Sequence, residues 1–196
     1  MTRVLVAGIG NVFLGDDGFG VAVVERLAKR NLPDGVSLMD AGIRGFDLTM
    51  ALLDDYAAAI LVDATARGGA PGTLYVIDPD ADDAVPCDGG RPTDGGPTND
   101  DPDPFGADTA LLDAHSLEPV KVLAYLRACG KKLGVIRVVG CEPARFGEDD
   151  ESEMGLSAAV SAALEPAVAL VEGIVLELIA AHDAAHDESR ARVGHA

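Results

Sequence analysis

Apolar positions along this chain fall into short blocks whose period switches between that of a strand and that of a helix. Arg3 to Gly8 is a Val-rich run closed by Gly8-Ile9-Gly10, the pattern of a buried strand. Over Gly18–Arg30, Val21, Val24 and Ala28 share one helical face, with Glu25, Arg26, Lys29 and Arg30 largely opposite. Pro33-Asp34-Gly35 marks a turn into a second strand, Val36–Asp40, and Phe46–Asp55 reads as a second helix. Ala57–Asp63 is a third apolar run ending in an acid. Pro71-Gly72 then turns the chain into a fourth strand, Thr73–Asp78. Ser116–Cys129 suits a helix capped by Ser116, with Glu118 and Pro119 in its first turn. Leu133–Cys141 is a fifth strand. Leu156–Ala181 is a long helix in which Pro166 is expected to make a kink or break. Strands alternating with helices predict an α/β fold: a three-layer α/β/α sandwich on a mostly parallel, twisted sheet of about five strands.

Two segments interrupt this rhythm. Residues 80–108 are dense in Pro, Gly and Asp and lack apolar periodicity, so a disordered acidic insertion is expected there. Pro143 to Met154 is an acidic loop. The rest of residues 1–182 reads as a single α/β domain, with 183–196 as a frayed tail.

Charge narrows the partners. The 196 residues carry a formal charge of −18, which repels nucleic acid and anionic lipid. No signal peptide is recognisable, and no apolar run approaches a membrane-spanning length, so a cytoplasmic protein without membrane contact is expected. Cys87, Cys129 and Cys141 are odd in number and widely spaced, which fits a reducing compartment. No apolar stripe is left over once these elements pack, so a monomer is expected.

The strand ends carry the candidate chemistry. In open parallel sheets, ligands bind outside the carboxyl ends of the strands. Asp17 lies just after strand one, Asp40 ends strand two and Asp63 ends strand three, so a parallel sheet brings all three to one edge. His115, at the start of the helix after the insertion, is within reach of that edge. Carboxylates with one imidazole suit zinc or nickel, with coordination positions left open. Each Asp taken alone is more readily a turn or N-cap residue; the convergence is what favours a metal site.

Rival motifs fit less well. Gly8-Ile9-Gly10 with Asp40 resembles a dinucleotide fingerprint. However, Phe13 stands where a third Gly should allow close helix–strand packing, and Asp16 and Asp17 would repel a pyrophosphate. His182-Asp183-Ala184-Ala185-His186 imitates a zinc-protease helix, with a short Asp in place of Glu and in an Ala-rich end. No Gly-x-Ser-x-Gly elbow is present, and Cys87 lies in the insertion.

The stretch Gly8-Ile9-Gly10-Asn11-Val12-Phe13-Leu14-Gly15-Asp16-Asp17-Gly18-Phe19-Gly20 resembles the opening motif of the hydrogenase maturation endopeptidases. Asp40-Ala41-Gly42-Ile43-Arg44-Gly45 is similar to their second motif, Asp63 with Pro71-Gly72-Thr73 to their third, and His115 to their histidine before a helix. The resemblance runs from Arg3 to about Ala181. Departures are Phe13 for Leu, Ala41 for Gly, and Ser116-Leu117-Glu118 after the histidine. The resemblance implies an endopeptidase that removes the C-terminal extension of a nickel–iron hydrogenase large-subunit precursor after nickel insertion. Bound nickel, supplied by the precursor, would be the recognition signal. Asp17, Asp63 and His115 would be the metal ligands, with zinc or cadmium able to substitute. Asp40 would be a general base or substrate contact. The residues leave two other classes open: a nickel-dependent maturation chaperone that does not cut, and a nucleotide-binding α/β enzyme.

Overall fold

A computed structural model describes residues 2–79, 122, 123, 126, 134–145 and 155–193. Its five strands are β1 (Val4–Ile9), β2 (Val36–Gly42), β3 (Ala58–Ala64), β4 (Leu74–Ile77) and β5 (Val135–Cys141). They form one sheet in the order β2-β1-β3-β5-β4. β1, β2, β3 and β5 are parallel, and β4 runs antiparallel at the edge beside β5. The helices are α1 (Phe19–Leu27), α2 (Gly45–Leu53) and α3 (Ala158–Val193).

Alternation along β1 sends its side chains to two cores. Val4 and Val6 join Phe19, Val23 and Leu27 of α1 and Val168 and Val171 of α3 on one face. Leu5, Ala7 and Ile9 join Leu48 and Leu52 of α2 on the other. The three-layer arrangement is thus written into a strand that is apolar at every position. Val122, Leu123 and Leu126, from the helix expected over Ser116–Cys129, are helical and buried in this second core. The remainder of that helix and the insertion at 80–108 lie outside the described residues.

Four expectations are corrected. The break expected at Pro166 does not occur: α3 continues as one helix, although Pro166 has no N–H to give to the preceding turn. Buried Ala163, Leu164, Ala167 and Val168 hold both sides of that position against the sheet. The segment expected to fray is helical as far as Val193. The Thr2 hydroxyl donates to Asp183 at 2.5 Å and meets Nδ1 of His182 at 3.1 Å, which ties α3 to the start of the chain. Within the zinc-protease look-alike, His182 and Asp183 thus serve as a tether. Third, Ala158–His186 is long and apolar enough to cross a membrane by length and composition, though its apolar side lines the first core. Finally, an apolar stripe is left over, because Phe46, Met50 and Leu53 on α2 stand exposed.

Close helix–strand packing survives the absence of a third Gly at Phe13. Gly20 takes over that role: a Cβ there would lie 2.1 Å from the Val62 carbonyl oxygen and 2.4 Å from that of Ile9. α1 therefore sits directly on β1 and β3.

Candidate active site

The chain leaves β1 toward β2 on one side and later returns to β3 on the other. The carboxyl ends of β1 and β3 therefore form the topological switch point, the place where open α/β sheets bind their ligands. Asp63 lies at the end of β3, and Asp17 lies on the 3-10 turn Asp16–Gly18 that follows β1 and packs against β3. Asp40 is one strand over, in register with Gly8. The parallel register thus takes Asp17, Asp40 and Asp63 to the same edge of the sheet.

Local hydrogen bonds aim Asp17. Asn11 donates its backbone N–H to Asp17 Oδ2 at 2.6 Å, while its own side-chain oxygen accepts the Phe13 N–H at 3.0 Å. Gly10, at φ 120°, passes so close that a Cβ there would lie 1.8 Å from the Asp17 carbonyl oxygen. The Gly10 N–H is also bonded to the Gly42 carbonyl at 3.0 Å, which joins the loops that follow β1 and β2. Asp17 is half-buried. Loss of solvation pushes its carboxyl above the usual range, and the Asn11 N–H offsets this in part. Asp40 is exposed, and its carbonyl accepts from Arg44 at 2.7 Å. His115 lies outside the described residues. Among the described residues, no group of three or more His, Cys, Asp or Glu side chains could hold a metal ion.

A family model for hydrogenase maturation proteases matches residues 21–86. The hydrogenase 2 maturation protease of Escherichia coli is 33% identical over 171 residues, covering 85% of this chain and 86% of the relative. The chain belongs to the hydrogenase maturation protease family. It is similar in fold to the hydrogenase maturating endopeptidase HybD from E. coli, with a TM-score of 0.62 and 26% identity over 90% of this chain and 93% of that one. The hydrogenase 2 maturation peptidase of a Thaumarchaeota archaeon superposes with a TM-score of 0.56 and 28% identity, covering 89% of this chain and 98% of its own. The protein is accordingly an endopeptidase, and neither the chaperone nor the nucleotide-binding reading is retained.

Two acids of the protease escaped the sequence reading, and both brace the site. Asp16 is 1% exposed. Its carboxylate accepts the backbone N–H of Ala144 at 2.8 Å and that of Ser157 at 2.6 Å. Ser157 caps α3, its hydroxyl accepting from the Val160 N–H at 3.4 Å. The acid pair is therefore split in its contacts: Asp16 ties the turn to the β5 exit and the start of α3, and Asp17 is held by the Asn11 N–H. Glu142, just past β5, accepts from the N–H groups of Arg67 and Gly68 at 2.8 and 3.1 Å and from the Tyr75 hydroxyl at 2.8 Å. It thereby fixes the loop that leaves Asp63. Cys141 beside it is buried, and burial together with the nearby Asp16 and Glu142 charges pushes its thiol up to about 11. At neutral pH it is a protonated core residue and a poor nucleophile. The adjacent acids in the opening motif were the available signal for Asp16; the single acid of Cys141-Glu142-Pro143 offered none for Glu142.

Glu142 makes a pH-dependent contribution to the fold. The Arg67 N–H, first among its donors, holds its carboxyl below the ordinary glutamate range. A lowered folded pKa gives stability that is complete at neutral pH and lost as pH falls through the folded value. Glu142→Gln is therefore expected to melt earlier than the parent at pH 7, with the gap closing below pH ~4. Thermal melts across that range check it, and a pH-independent gap would refute the charge argument.

Proposed function

We propose that this protease removes the C-terminal extension of a nickel–iron hydrogenase large-subunit precursor after nickel has been inserted. In this reading Asp17, Asp63 and His115 surround the nickel that the precursor carries, and the metal is the recognition signal. The observation that carries it is the switch point: the turn that bears half-buried Asp17 follows β1, and Asp63 ends the neighbouring β3 at the same edge of the sheet. A partly desolvated carboxylate held by one N–H gains from a cation beside it, and two carboxylates with an imidazole form a donor set suited to nickel, zinc or cadmium. Nickel bound there would polarise the scissile carbonyl. Asp40, exposed at the neighbouring strand end, serves as general base or substrate contact. The E. coli relative's name, hydrogenase 2 maturation protease, agrees with a hydrogenase precursor as substrate. We place the reaction in the cytoplasm.

The test uses the full chain and the nickel-loaded precursor of the same organism, followed by intact-mass spectrometry. The expected result is loss of the C-terminal peptide from nickel-loaded precursor and no change in nickel-free precursor. Equal cleavage of both would remove the metal-recognition step; an intact nickel-loaded precursor would remove the substrate assignment.

A further inference from the structure

Ten large apolar side chains stand exposed among the described residues, and seven of them belong to two short stretches. Val12, Phe13 and Leu14 follow β1. Ile43, Phe46, Met50 and Leu53 precede and line α2. Isolated exposed apolar residues are ordinary on a protein surface; a concentration of this kind marks a contact surface. Phe46 is 68% exposed and Phe13 62%. On α2 the spacing of Phe46, Met50 and Leu53 places them along one face, while Leu48 and Leu52 enter the core. The helix is apolar on two sides, and on one of them Phe46 and Met50 stand exposed. The two stretches are joined at their roots by the bond from the Gly10 N–H to the Gly42 carbonyl.

The border of this surface is acidic. Asp40, Asp47 and Asp54 lie between residues 40 and 54, where Arg44 is the sole cation in the sequence. Arg44 is already engaged, 3.4 Å from Asp47 and bonded to the Asp40 carbonyl. Asp40 also belongs to the candidate active-site edge, so surface and site are continuous.

We propose that the exposed face of α2 with the Val12–Leu14 loop is the docking surface for the polypeptide substrate, and that it takes a segment carrying apolar side chains next to basic ones. The proposal rests on the precursor reading above and names the chemistry by which the precursor is gripped. Apolar anchors supply the holding energy, and the acidic border selects cationic neighbours and speeds encounter. Cleavage chemistry stays with the switch point.

The experiment compares the parent with Phe46→Ser/Met50→Ser and, separately, with Asp54→Lys. Both sites are exposed, so melting temperatures are expected to be unchanged. For the apolar pair, KM for nickel-loaded precursor and its Kd are expected to rise about tenfold with kcat within about twofold, the pattern of a lost anchor. For Asp54→Lys, KM is expected to rise and the weakening of binding by salt to become shallower. Unchanged Kd and KM in both variants overturns the proposal. A parent that binds precursor without cutting it refutes the proposed function but leaves the Kd comparison to decide the surface. A parent that does not bind precursor overturns the surface as well. Self-association of the parent that the apolar pair abolishes, with precursor Kd unchanged, assigns the face to a second copy and also overturns it.

Discussion

Asp17→Asn is expected to lose precursor processing by on the order of a thousandfold or more, the scale on which a single preorganised polar group acts in an active site. The same substitution is expected to leave the protein at least as stable as the parent at neutral pH. The reason lies in the carboxylate's surroundings. Burial raises its pKa, and one N–H from Asn11 only partly compensates. A folded pKa above the unfolded one means that the protonated form is favoured by folding. That stability is present at low pH and is lost as pH rises through the folded value. At neutral pH the ionised carboxylate is a cost to the fold. An amide keeps an oxygen for the Asn11 N–H and discards the charge. The melting temperature of Asp17→Asn relative to the parent is therefore expected to improve from acidic to neutral pH. Asp63→Asn and His115→Ala are expected to lose processing to a similar degree. Cleavage of nickel-loaded precursor by mass spectrometry, with melts at two pH values, checks each. A variant that processes at the parental rate would strike that residue from the site. An Asp17→Asn protein that melts earlier than the parent at neutral pH would show that this carboxylate serves the fold.

The sequence shows where strands end more clearly than what braces them. β1, β2 and β3 are legible because each apolar run stops at a Gly or an acid, and the parallel register then follows from alternation with helices. The edge strand β4 is legible as a strand but its antiparallel direction is not, because four residues with mixed exposure carry no mark of direction. The continuity of α3 through Pro166 is hidden for another reason: a local rule permits a break there, and side chains buried against the sheet keep the helix unbroken. The candidate site divides in the same way. Asp17, Asp40 and Asp63 stand at strand ends that periodicity marks. Asp16 and Glu142 act through partners 128 and 75 residues away in the chain, and no local pattern encodes such contacts. Gly20 had no assigned role because the motif reading sought a close-packing Gly at Phe13. The close approach occurs seven residues further on, in the first turn of α1, where the helix meets the sheet.

Gly20→Ala is expected to be strongly destabilising. A Cβ at this position would lie 2.1 Å from the Val62 carbonyl oxygen, 2.4 Å from that of Ile9 and 2.7 Å from the Ile9 nitrogen. All three are backbone atoms of β1 and β3, so no flexible side chain can swing away. Relief requires α1 to lift from the sheet, which loosens Phe19 and Val23 from a core where both are fully buried. Overpacking of this kind costs about 1–3 kcal/mol where side chains can adjust, and the upper end or more is expected where they cannot. About 3 kcal/mol is a large part of the ~5–15 kcal/mol that holds a typical domain together. It corresponds to a loss of roughly 6–12 °C in melting temperature for a chain of this size. Gly173→Ala is the matched control. That glycine sits in α3 with nothing within 4 Å of a new Cβ, so the same added methyl is expected to stabilise by up to ~1 kcal/mol through helix propensity. Melting curves of the two variants against the parent should move in opposite directions. Movement of Gly20→Ala by less than a degree would mean that α1 does not rest on the sheet as tightly as its backbone contacts require. Because α1 begins directly after the turn that carries Asp17, a lifted α1 also shifts that carboxylate, so processing is expected to fall in Gly20→Ala even below its melting temperature.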